Sequence, residues 1–132
     1  MKFSLPTTQR RLAIHRFALA GLLLTVAACH FRALRSDLTV QPGKRFELGG
    51  NQNGGFTVQV RNKGQVPVTI LERRADGQLV TRGTFQPGDG QTVRFLAGSA
   101  ALVDNATTQS ARLDLTVTGD TSNLGMRETP KP

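Results

Sequence analysis

At 132 residues the chain has room for one domain. Its 17 basic and nine acidic residues give a formal charge of +8, but Lys2, Arg10, Arg11 and Arg16 fall within the first 28 residues, where there is no acid, so the remainder carries a surplus of only four. That surplus is scattered from Arg32 to Lys131 with no basic run longer than two, there is no Trp or Tyr, and only four Phe lie beyond residue 40. The dense basic stripe and stacking platforms of a nucleic-acid binder are therefore missing.

In chain order, residues 1–16 are polar and basic, and residues 17–28 (FALAGLLLTVAA) are apolar and uncharged. This is the n-region and h-region pattern of a signal peptide, expected to be helical. Twelve helical residues rise only about 18 Å, too little for a hydrocarbon core of roughly 30 Å, so a permanent span is not expected. The run ends in Val26-Ala27-Ala28-Cys29, which resembles the lipobox of bacterial lipoproteins: a branched apolar residue, two small residues and a cysteine. The resemblance implies that the Cys29 thiol receives a diacylglyceryl group, that a peptidase cuts before it, and that the new amino terminus is acylated. Two or three acyl chains hold a protein on a membrane stably where one is marginal. The membrane is then the first partner and the cell envelope the destination. His30 stands where an Asp would retain such a protein in the inner membrane, which resembles the outer-membrane default of a Gram-negative bacterium.

Residues 29–36 read as the anchor cysteine and a short tether. From Asp37 the pattern becomes period two: Leu38/Val40, Phe46/Leu48, Phe56/Val58/Val60, Val66/Val68/Ile70, Val93/Phe95 and Leu113/Leu115/Val117 each fall on one face. Thr39, Glu47, Thr57, Gln59, Thr69, Arg94, Asp114 and Thr116 between them are expected to face water. Residues 78–85 and 100–103 are strand-like without a clear face. Turn chemistry stands between the strands at Pro42-Gly43, Gly49-Gly50, Asn62-Lys63-Gly64, Asp76-Gly77, Pro87-Gly88 and Gly119-Asp120. The Gln-Pro-Gly triplets at 41–43 and 86–88 read as two similar turns. The expectation is an all-β fold, a single antiparallel β-sandwich of seven to eight short strands over residues 37–120, with a small barrel as the alternative and residues 121–132 as a tail.

Two further resemblances appear. Residues 56–64 and 66–70, then Phe85-Gln86-Pro87-Gly88 leading to Val93-Arg94-Phe95, look like the strand, N-x-G turn, strand grammar of bacterial immunoglobulin-like adhesion and periplasmic chaperone-type domains. The layout as a whole is similar to small envelope lipoproteins of Bacteroidetes-type bacteria. The first implies an immunoglobulin-like sandwich; neither brings a ligand or a functional residue.

The inventory limits the chemistry. The only histidines are His15 and His30, so Ser99 and Ser110 have no His partner and neither a histidine-dependent triad nor a conventional zinc site is expected. The carboxylates Glu47, Glu72, Asp76, Asp89, Asp104, Asp114 and Asp120 read mainly as turn and exposed-strand residues, and Asn51-Gln52-Asn53-Gly54 reads as a turn rather than a calcium loop. No catalytic residue, metal or cofactor is expected. The alternation does place Arg45, Arg61, Arg82, Arg94 and Arg112 outward. The functional expectation is a non-enzymatic interaction or structural module with an envelope protein as partner; the alternative is a small binder of an acidic glycan or lipopolysaccharide through a face bearing Arg61, Arg94 and Arg112.

Overall fold

The computed structural model describes residues 33–132. The segment expected to be a signal peptide, with Val26, Ala27 and Ala28, and the expected anchor Cys29 lie outside the described residues. Nine strands follow one another: β1 (Leu34–Val40), β2 (Lys44–Gly49), β3 (Phe56–Asn62), β4 (Val68–Arg73), β5 (Leu79–Phe85), β6 (Gly90–Phe95), β7 (Ala100–Asp104), β8 (Ala111–Gly119) and β9 (Met126–Pro130). The period-two segments form strands because alternate apolar side chains can all be buried on one side of a pleated ribbon. In β3 and β8 the burial alternates residue by residue.

Two antiparallel sheets result, one in the order β1-β8-β3-β6 and the other β5-β4-β7-β2-β9. Their inner faces enclose one core, in which the Phe56 and Phe95 rings stack with centroids 5.0 Å apart. The sandwich is as the alternation predicts, but its connectivity is not the immunoglobulin order. In that fold several consecutive strands pair as hairpins; here only β4 and β5 do, and the other seven of the eight connections cross from one sheet to the other. Without β9, the order is that of a jelly roll, two interleaved Greek keys. The turn residues mark where the chain reverses. They do not encode which sheet receives the next strand, and Asn62-Lys63-Gly64 carries the chain across the sandwich to β4.

The sandwich also extends past residues 37–120. β1 starts at Leu34, and residues 126–130, expected as tail, pair with β2 along its outer edge. β9 has no period-two signature because it is exposed over most of its length. Pro130 is tolerated at its end because an edge strand needs no donor on its open side.

All strand starts and ends sort into two ends of the sandwich. The amino-terminal end has the start of β1 and the loops after β2, β4, β6 and β8. The far end has the loops after β1, β3, β5 and β7, together with the end of β9.

Candidate functional site

The four-stranded sheet carries the expected arginine face. Arg61 on β3, Arg94 on β6 and Arg112 on β8 are exposed at alternating outward positions of the same face, and Arg35 on β1 joins them. They do not converge. Arg61 stands directly opposite Asp114, which also pairs with Lys63, and Arg112 is its diagonal neighbour, 3.5 Å from Asp37. Arg94 sits beside Thr57, four residues back along β3 and thus about 13 Å from the Arg61 row. Between these rows lie Thr116, Gln59 and Thr92. Shallow grooves of about 620 and 320 Å³ flank the Asp114–Thr116 segment on either side. The face is broad, polar and moderately cationic, suited to an extended anionic surface rather than to a single small molecule.

Arg45 and Arg82 do not belong to it. Arg45 lies on the outer face of the five-stranded sheet, nearly buried, with its Nε and Nη2 donating to the Asp104 carboxylate at 2.6 and 2.8 Å. That hydrogen bond raises the arginine's pKa above its ordinary value. Arg82 is displaced by a register shift opposite Ile70 and Leu71, which leaves it without a cross-strand partner in β4. It turns in at the sheet edge, donates to Glu72 at 2.9 Å, and lies 5.8 Å from the Phe95 ring centroid.

Two glutamates that read as solvent-facing or turn residues are buried instead. Glu47 accepts two hydrogen bonds from Arg73 on β4 (2.9 and 3.2 Å) and one from Arg127 on β9 (2.6 Å). The Arg73 bonds are the main reason that its pKa lies below the ordinary glutamate value. Arg73 reaches Glu47 across β7, and Leu102 on that strand, although on the outer face, has no exposed area. Glu72 follows Val68 and Ile70 in period, so it points inward. Burial alone would raise its carboxyl, but the Leu96 N–H (3.0 Å), the nearby Ser99 hydroxyl and Arg82 outweigh burial and hold the pKa below its ordinary value. Both carboxylates are thus fixed as anions by their cations and are poorly placed to act as proton-transfer groups near neutral pH.

Beside this ion-pair row, at the amino-terminal end, is an open concavity of about 400 Å³ lined by Glu47, Arg73, Arg74, Arg127, Met126 and several glycines. The sequence gives no local signal for it, since its residues come from three strands, β2, β4 and β9, and from loops at that end. Arg74 makes only a long contact to Gln78 at 3.4 Å, and its Nε is buried without a hydrogen-bond partner among the described residues. Arg74 thus adds a third guanidinium to the rim of the concavity, beside the two that share the Glu47 carboxylate.

The Asn51–Gly54 turn behaves as a turn. The buried Gln52 side chain accepts from the Gly50 N–H (2.8 Å) and donates to the Ser99 carbonyl (2.7 Å), and the Gly54 N–H donates to Asp120 (2.8 Å). The Ser122 hydroxyl and the backbone N–H groups of Gly54, Ser122 and Asn53 hold the Asp120 pKa below its ordinary value. Among the described residues there is no group of three His, Cys, Asp or Glu side chains that could hold a metal ion.

No family model matches the chain, and no curated protein matches it. Among solved structures, it is similar to the crystal structure of the Yersinia pseudotuberculosis-derived mitogen, with a TM-score of 0.43 and 9% identity over 72% of this chain and 95% of that one. A likeness at that level transfers no residue and no activity.

Proposed function

We propose that the chain is the precursor of a lipid-anchored envelope protein, cut before Cys29, whose β-sandwich is a non-enzymatic interaction module held close to the membrane. The supporting observation is the spacing of anchor and fold. The first strand begins at Leu34, five residues after Cys29 in the Val26-Ala27-Ala28-Cys29 motif, so the tether reaches at most about 18 Å even when fully extended. A rigid sandwich on so short a leash works at the membrane surface. The test is fractionation of cells producing the full-length protein. The native protein partitions with membranes and is extracted by detergent, whereas Cys29→Ala leaves it uncleaved in the inner membrane or released in soluble form. The mass of the amino-terminal peptide tells the two apart, and a native chain that is neither cut before Cys29 nor acylated there would overturn the reading.

A second reading is favoured by a separate observation, the shared face of Arg35, Arg61, Arg94 and Arg112. In it the module binds an acidic glycan or lipopolysaccharide phosphates across the outer surface of the four-stranded sheet. Such binding weakens as salt rises, because exposed charges are screened over roughly 8 Å at physiological ionic strength.

A further inference from the structure

Four large apolar side chains are well exposed among the described residues: Leu34 (38%), Leu79 (51%), Leu96 (59%) and Met126 (44%). All four lie at the amino-terminal end. Leu34, Leu79 and Met126 are the first residues of β1, β5 and β9, and Leu96 follows the last residue of β6. The far end exposes no side chain of this kind among the described residues. Each of the four stands within five residues of an arginine at the same end: Arg35, Arg74, Arg94 and Arg127. Arg35, Arg74 and Arg94 form no ion pair among the described residues, and the buried Nε of Arg74 has no partner there.

We infer that this end is a membrane-contacting surface, with the four apolar side chains in the interfacial layer and the arginines against lipid phosphates. The inference rests on the lipid-anchor reading for its orientation. Three features select a bilayer over a protein partner. The chain enters the sandwich at this end, so an acylated Cys29 within about 18 Å keeps it facing the head groups. The apolar residues are separate tips on different strands and loops rather than one packed patch, as befits shallow insertion. An arginine stands within five residues of each tip at the same end, and the concavity at Arg73, Arg74 and Arg127 has room for a phosphate. The far end, about 30 Å away along a nine-residue strand, then points away from the membrane.

The test uses the mature protein reconstituted in vesicles of phosphatidylcholine and phosphatidylglycerol carrying a head-group quencher. Leu96→Cys, Leu79→Cys and, as a far-end control, Thr108→Cys are each labelled with a fluorophore. A thioether at Cys29 cannot react, so an intact mass that includes the acyl chains together with one label per chain means that the anchor is in place, and two labels, or a mass without acyl chains, mean that the anchor reading itself has failed. With one label per chain, the probes at 96 and 79 lose most of their emission and the probe at 108 keeps its own. Equal quenching at both ends, or none at 96 and 79, overturns the inference and leaves the anchor intact. If either Cys variant fails to fold, the other still decides.

Discussion

The two ends of the sandwich are closed by different chemistry. At the far end the same clasp occurs twice. The Asn62 Oδ1 accepts from the Gly64 N–H, its Nδ2 donates to the carbonyls of Val66 and Phe85, and the Gly88 N–H donates to its backbone carbonyl. The Asn105 Oδ1 accepts from the Thr107 N–H, its Nδ2 donates to the carbonyls of Gln109 and Val40, and the Gly43 N–H donates to its backbone carbonyl. In each case the asparagine holds the residue before a Gln-Pro-Gly turn and the glycine within it, and each turn closes through its own backbone bond, Lys44 N–H to Gln41 O or Asp89 N–H to Gln86 O. Pro presets the second turn position, and Gly43 and Gly88 supply the positive φ required at the third. The amino-terminal end has one buried amide, Gln52, a set of Arg–Glu pairs, and exposed apolar tips. One sandwich can thus be closed in two ways: buried amide clasps tie the turns at the far end, and ion pairs beside exposed apolar tips stand at the amino-terminal end.

The largest expected effect breaks the clasp. Asn62→Ala or Asn105→Ala removes at least three side-chain hydrogen bonds at once, two or more to backbone carbonyls and one from a backbone N–H. At about 1–3 kcal/mol for each group left unmade, a loss on the order of 3 kcal/mol is expected. At roughly 4–8 °C per kcal/mol for a domain of this size, Tm should fall by more than about 10 °C in a calorimetric scan. Gln52→Ala removes fewer bonds and should cost less; an equal loss would erase the distinction between the ends.

The next effect is that of acid. Glu47 and Glu72 have folded-state pKa values below the ordinary value, so the stability they contribute is fully present above the unfolded glutamate range and is lost as pH falls through the folded values. Chemical denaturation at a series of pH values should show the midpoint falling below about pH 4.5. Glu47→Gln should flatten part of that slope, while Asn105→Ala, which removes no titrating group, should shift the curve down without changing its shape.

The smallest effect concerns the outer face of the four-stranded sheet. Replacing Arg61, Arg94 and Arg112 together with Gln should move Tm by only a few degrees, well short of the clasp variants, since of the three only Arg112 makes an ion pair among the described residues and an exposed pair contributes about 0–1 kcal/mol. Retention on lipopolysaccharide or an acidic glycan should weaken at low salt. Unchanged retention would remove this face from consideration as a binding surface.

Much of this architecture is legible in the sequence. The alternation of Phe56/Val58/Val60 or Leu113/Leu115/Val117 fixes both strand and inward face, and the two Gln-Pro-Gly turns are visible as a pair. Three things are not. The jelly-roll order is hidden because turn residues specify reversal and not destination. Asn62 and Asn105 look like ordinary loop asparagines, although each closes a Val-x-Asn segment at the end of a strand, which is the one local signal the clasp leaves. Glu47 reads as solvent-facing because its covering arginines, Arg73 and Arg127, are 26 and 80 residues away in sequence. Glu72, by contrast, could be read as buried by extending the Val68/Ile70 period one step further. At the arginine face the periodicity gives the side of the sheet correctly for Arg61, Arg94 and Arg112, and it fails for Arg82 because a register shift cannot be seen in the pattern.

The account depends most on the anchor, since it orients both ends. The direct measurement is the intact mass and fragmentation spectrum of the mature protein's amino-terminal peptide, isolated from membranes of its native host. The account predicts a chain beginning at Cys29 with a diacylglyceryl thioether and an acylated amino group; a free Cys29 thiol, or an amino terminus elsewhere in the chain, would contradict it.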